Sequence, residues 1–130
     1  MEPLPVLYDR DCGVCRTILG TLLAWDRDHR LRPVEIQSPE GESLLAGMSE
    51  EERLDSWHMA GPAGVRSAGA AFPDLFQLLP GGAPLAELSR RAPGPSERAY
   101  RLVAGNRSKL SKLVPAGVRD RADRLIASRR

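Results

Sequence analysis

At 130 residues the chain has room for one hydrophobic core and falls short of the size at which cores divide. With 42% apolar and 28% charged residues it sits near the globular average, which excludes disordered and fibrous classes. The formal charge of +2 hides a segregation: residues 1–88 carry 7 Arg against 14 acids, net minus 7, and residues 89–130 carry 12 Lys or Arg against 3 acids, net plus 9.

The chain opens Met1-Glu2-Pro3-Leu4-Pro5, without the basic and apolar regions of a secretory signal. The longest apolar stretch, Ile18 to Trp25, is interrupted by Gly20 and Thr21 and is well short of the roughly 20 residues that span a bilayer. The expectation is a soluble, cytoplasmic protein with no transmembrane segment. The basic C-terminal third has only Tyr100 as an aromatic and no Gly-rich or RNP-like signature, so it reads as a solvated helix surface and nucleic acid is not an expected partner.

Pro5-Val6-Leu7-Tyr8 is a short β-branched and aromatic run that suits a buried strand. Asp11-Cys12-Gly13-Val14-Cys15 then turns into a helix over Arg16 to Trp25, with Ile18, Leu19, Leu22 and Leu23 on one face. Leu31 to Ile36 reads as a second strand despite Pro33, completing a β-α-β unit with parallel pairing. Ser38-Pro39 supplies an N-cap and a first-turn proline for a helix with Leu44 and Leu45 on its apolar side. Ser49 to Glu52 has capping-box spacing and opens a short helical turn.

Gly61-Pro62-Ala63-Gly64 is a turn signal, so Ser56 to Ala60 and Val65 to Ser67 are predicted to pair as an antiparallel hairpin. Phe72, Leu75, Phe76 and Leu79 have helical spacing, with Pro73 tolerated in a first turn, and Pro80-Gly81-Gly82 stops that helix. Pro93-Gly94-Pro95 reads as a second break, after which Ser96 caps a helix carrying Tyr100, Leu102, Val103, Leu110 and Leu113. Val114-Pro115 ends it, and Ala116 to Ser128 forms a final basic helix. The order predicts an α/β fold: a central four-stranded mixed sheet flanked by helices, in one domain with a core over about residues 5–90 and a helical extension over about 96–130.

Cys12 and Cys15 are the only cysteines, and they lie at a strand-to-helix junction. Two intervening residues at a helix start let two sulfurs approach bonding distance without backbone rearrangement. The helix N-terminus adds unpaired N–H groups and about half a positive charge, both favouring thiolate. A cysteine with a pKa near 8.5 is only about 3% thiolate at pH 7; a pKa of about 7 gives half, for roughly 2 kcal/mol. Arg10 and Arg16 favour the thiolate, and Asp9 and Asp11 oppose it. On this reading Cys12 is the nucleophile and Cys15 the resolving sulfur, with Asp9 or Asp11 taking or delivering protons. Zinc is a competing reading, but it needs four ligands and the other soft candidates are His29 and His58, without metal-site spacing. An inert structural pair is the third reading.

The run Val6-Leu7-Tyr8-Asp9-Arg10-Asp11-Cys12-Gly13-Val14-Cys15 resembles the signature of the DCC family (DUF393) of thiol-disulfide oxidoreductases. Leu31 to Gln37 with Ser38-Pro39-Glu40-Gly41, and Ala99 to Arg107, are similar to segments at like places in that family, so the resemblance covers about residues 5–110. It implies a thioredoxin-like fold, redox roles for Cys12 and Cys15, and Asp9 and Asp11 as the motif acids. Two departures accompany it. Arg10 stands where family members often have Gly, and Asp55-Ser56-Trp57 occupies the region where thioredoxins proper have a cis-proline. Arg10, Ser56 and Trp57 are therefore the candidate substrate-binding residues, and Asn106 and Arg107 are candidates for capping or for contacting an anion.

The leading expectation is a thiol-disulfide oxidoreductase with no bound cofactor and no metal. It would act on a disulfide-containing protein or a small-molecule thiol substrate, with a thiol electron donor. The alternative is a non-catalytic thioredoxin-like binding module that presents the basic C-terminal helical surface.

Overall fold

Val6 and Tyr8 face one core and Leu7 faces another, so strand β1 (Leu4–Tyr8) is buried on both sides. The computed structural model describes residues 3–129; Met1 and Glu2, which open the N-terminal reading, and Arg130 lie outside them. Strand β2 (Leu31–Glu35) pairs with β1 in parallel, Leu4 opposite Leu31 and Tyr8 opposite Glu35. On the other side of β1, β3 (His58–Gly61) runs antiparallel with Val6 opposite Met59, and β4 (Gly64–Ser67) closes a hairpin with it. The sheet order is β2-β1-β3-β4.

Helix α1 (Gly13–Trp25) makes the crossover between the parallel strands. Leu19 and Leu23 bring it onto Val6, Tyr8 and Met59 in the larger core, which Leu75 and Ile126 complete. The opposite face holds Leu7, Val34, Ile36 and Leu45 beneath α2 (Pro39–Leu44) and α3 (Glu50–Asp55). Local chemistry starts both short helices as predicted. Ser38 Oγ accepts the Gly41 N–H at 3.1 Å, and Ser49 and Glu52 exchange N–H bonds at 3.2 Å in a capping box.

The remaining helices, among the described residues, are α4 (Phe72–Leu78) after a 3₁₀ turn, α5 (Ala83–Arg91), α6 (Pro93–Gly105), α7 (Arg107–Leu113) and α8 (Ala116–Arg129). Helix α5 was not expected. Only its small residues Ala86 and Ser89 are buried while Leu85 and Leu88 are exposed, so no large apolar side chain marks its packed face. Pro93-Gly94-Pro95 proves to be the first turn of α6 and not a break, because first-turn N–H groups have no carbonyl partner to lose. The single helix expected from Ser96 to Leu113 is two. Asn106 ends α6 by donating its N–H to the Val103 carbonyl at 3.1 Å and its Nδ2 to the Leu102 carbonyl at 2.7 Å. The third strand starts at His58 and not Ser56, since the Trp57 N–H is bonded to the Tyr100 hydroxyl and not to a neighbouring strand.

Helix α8 lies on α1. A Cβ on Gly20 would sit 2.6 Å from the Ala122 Cα, so only glycine allows this approach. At the end of α1 the fully buried Asp26 carboxylate accepts N–H bonds from Arg30 and Leu31 at 2.9 Å and the Arg129 guanidinium at 2.9 Å. His58, also buried, donates Nε2–H to the Arg53 carbonyl (2.9 Å) and accepts the Ser67 hydroxyl at Nδ1 (2.6 Å). Burial holds its imidazole below the usual 6.5 and so keeps it neutral. No helix among the described residues is long and apolar enough to cross a membrane.

Candidate functional site

The site begins where β1 ends. Asp9 Oδ1 accepts the Asp11 N–H at 2.9 Å, and the Asp9 carbonyl accepts the Cys12 N–H at 3.2 Å, which turns the chain sharply out of the strand. Gln37, just past β2, braces this turn by donating Nε2–H to Asp9 Oδ1 (2.7 Å) and accepting the Arg10 N–H (3.3 Å). Among the described residues only His29 and Ala68 are non-glycine residues with positive φ. The backbone at Arg10 therefore makes no demand for glycine.

Cys12 is the extended N-cap of α1 and is disulfide-bonded to Cys15, with Cα atoms 5.2 Å apart. The Cys15 N–H donates to Cys12 Sγ at 3.3 Å, so a sulfur occupies the acceptor role that Ser or Asp fills in most helix caps. Ser111 of α7 reaches across to accept the Val14 N–H at 3.1 Å, and the Cys12 carbonyl accepts the Arg16 N–H. The first turn of α1 is thus capped partly from 97 residues away.

Arg16 is committed elsewhere: it donates to the Arg10 carbonyl and pairs with Asp123 of α8 at 3.0 Å. Arg10 and Asp11 lie 3.9 Å apart as an exposed pair, a geometry worth little in water. Together with Arg16 and Asp123 they line a small polar depression.

Cys15 borders a separate, apolar cavity of about 320 Å³. The sequence has six aromatic side chains, and five of them line it: Tyr8, Trp57, Phe72, Phe76 and Tyr100. Phe72 is their hub, with ring centroids 5.9 Å from Phe76, 6.3 Å from Trp57 and 6.4 Å from Tyr100. Cys15 and Ile18 line the cavity where it meets α1. Among the described residues the charged ones that line it are Asp9 and Arg107. Burial raises the Tyr100 phenol above 10, so its hydroxyl is neutral where it accepts the Trp57 N–H at 3.0 Å.

Of the residues singled out in the sequence, Asp9, Cys15, Ser56 and Trp57 meet at this cavity, Arg10 and Asp11 line the polar depression, and Cys12 lines neither but is bonded to Cys15. Arg107 joins the cavity and donates to the Ala104 and Leu54 carbonyls, whereas Asn106 is a helix cap. Sequence reasoning assigned no role to Gln37 or Ser111 and put Phe72 and Phe76 only on a helix face. One of two serines in a basic helix, Ser111 carries no local sign of a contact so distant. Among the described residues no three His, Cys, Asp or Glu side chains cluster to hold a metal.

A four-stranded mixed sheet flanked by helices, with a paired Cys-x-x-Cys at the first helix N-terminus, defines a thioredoxin-like α/β protein with a thiol–disulfide centre. A family model for DCC1-like thiol-disulfide oxidoreductases matches residues 6–113, and the chain belongs to that family. No curated protein and no solved structure matches it.

Proposed function

We propose that the chain is a thiol-disulfide oxidoreductase in which Cys12 attacks and Cys15 resolves. The observation that carries this reading is the Cys15 N–H held on Cys12 Sγ at the start of a 13-residue helix. In the dithiol form that N–H and the partial positive charge of the helix favour a thiolate on Cys12 over one on Cys15, a turn further in.

In the reducing direction the Cys12 thiolate attacks one sulfur of a substrate disulfide, forming a mixed disulfide and releasing the other half as a thiolate that takes a proton. Cys15 then attacks Cys12 Sγ, releasing the second half as a thiol and leaving the Cys12–Cys15 disulfide. Two electrons have passed, and a thiol donor returns the pair to the dithiol. Asp9, which shares the cavity with Cys15, is proposed to take the Cys15 proton. Asp11 and Arg10 set the charge at the neighbouring polar depression, and Ser56 and Trp57 contact the substrate from the cavity wall. The proposed setting is the cytoplasm, whose thiol pool keeps the dithiol available.

The test is reduction of insulin disulfides and of a glutathione mixed disulfide by wild type and Cys12→Ser. Wild type is expected to be active and the variant to fall to the uncatalysed background. Equal rates in the two proteins would overturn the assignment.

A further inference from the structure

The apolar cavity is far more elaborate than a dithiol alone needs, and we infer that it selects the substrate: a small disulfide with an apolar, aromatic or alkyl body carrying one carboxylate. This rests on the oxidoreductase reading above and names the class of molecule it acts on. Three observations carry it.

The first is the lining. Five aromatic side chains with Ile18 and Val103 make a wall that rewards apolar contact at about 25 cal/mol per Å² buried. The volume of about 320 Å³ is near the lower end of the roughly 300–1,000 Å³ common for small-molecule sites, so the body it accepts is small.

The second is charge. Among the described residues Arg107 has no carboxylate within ion-pair distance; it donates to the neutral Ala104 and Leu54 carbonyls. The other arginines lining the site region, Arg10 and Arg16, each face an acid. A guanidinium at the edge of an apolar wall with no acid of its own is suited to a ligand carboxylate. Asp9 at the Cys15 end disfavours the reverse orientation, with the carboxylate beside the sulfurs.

The third is the backbone before β3. An extended peptide would need free main-chain groups here to pair with. The Trp57 N–H is taken by Tyr100, and the Trp57 carbonyl accepts both the Ala68 N–H (3.3 Å) and the Ser56 hydroxyl (3.0 Å). Both main-chain groups of Trp57 are thus engaged within the fold, which favours a small molecule over an extended protein chain paired at this residue.

Electrons balance as in the general scheme. The dithiol form takes R–S–S–R′, the R–S–S–R′ bond breaks, the Cys12–Cys15 bond forms, and RSH and R′SH leave, with a thiol reductant restoring the pair.

Two measurements test it, one of them independent of turnover. Calorimetry on the oxidised protein with octanoate, which has no disulfide, is expected to show binding that weakens about tenfold in Arg107→Gln, is recovered in Arg107→Lys, and leaves 1-octanol binding unchanged. Stopped-flow oxidation of the reduced protein then compares 5,5′-dithiobis(2-nitrobenzoate), an aromatic disulfide with carboxylates, with the uncharged 4,4′-dithiodipyridine. Arg107→Gln should slow the first about tenfold and the second less than twofold. If Arg107→Gln does not fold, the wild-type preference for octanoate over 1-octanol decides.

Absence of octanoate binding, or equal binding in wild type and Arg107→Gln, overturns the inference; if 4,4′-dithiodipyridine is still reduced through Cys12, the oxidoreductase reading survives it. Octanoate binding that depends on Arg107 with no Cys12-dependent reduction of any disulfide overturns the redox reading and the substrate assignment with it. Displacement of octanoate by an uncharged apolar tripeptide, with affinity unaffected by Arg107→Gln, would make the occupant a peptide side chain and also overturn the inference.

Discussion

The two ends of α1 use similar groups for opposite purposes. At its C-terminal end the Asp26 carboxylate is fully buried, and every contact it makes is structural: two backbone N–H donors and the Arg129 guanidinium. Arg129 also donates to the Leu23 and Asp26 carbonyls, so one side chain closes the end of α1 against α8. At the N-terminal end the acids Asp9 and Asp11 and the two cysteines are only partly buried or exposed; Asp9 and Cys15 line the apolar cavity and Asp11 lines the polar depression. Burial decides between the two. A desolvated, saturated carboxylate locks a fold, whereas partly exposed cysteines on a helix start stay within reach of another molecule.

That contrast is open to direct attack, and the largest effect is expected at the buried end. Asp26→Ala leaves Arg129 and two N–H groups without their acceptor and is expected to cost about 3–5 kcal/mol in urea unfolding. Its effect on Cys12 reactivity should be small. A loss of under about 1 kcal/mol would break the comparison, because the clamp would then be dispensable.

Gly20→Ala, between the two ends, puts a Cβ against the Ala122 backbone, which cannot give way as a flexible side chain would. About 1–3 kcal/mol of destabilisation is expected from thermal unfolding, since α8 must shift off α1. The smallest effect is expected at the reactive end. Ser111→Ala removes the acceptor of the Val14 N–H and should cost about 1 kcal/mol, with faster hydrogen exchange at the Val14 amide. Unchanged exchange there would show that α7 does not cap α1 in solution.

Much of the fold was legible because its signals are local. The Ser38-Pro39 start, the Ser49–Glu52 capping box, the Gly61–Gly64 turn and the break at Val114-Pro115 all act through neighbouring backbone, so they survive without tertiary context. The failures have a common cause. Helix α5 packs through the small Ala86 and Ser89, the prolines before Ser96 read as breakers unless a first turn is recognised, and Ser56 leaves the strand because Tyr100 bonds to its neighbour from another helix.

The candidate site divides the same way. The Cys-x-x-Cys spacing, its position after a strand and the adjacent acids were visible in ten consecutive residues. They determined the kind of chemistry on offer, because thiol pairing depends on short-range geometry. That Cys15 borders an apolar cavity, that Asp9 lines this cavity while Asp11 lines a separate polar depression, and that Ser111, Tyr100 and Arg107 approach from α6 and α7 were decided by packing. These residues lie about 90 positions from the cysteines, and nothing in a linear pattern states which helix a packed core will bring across a sheet.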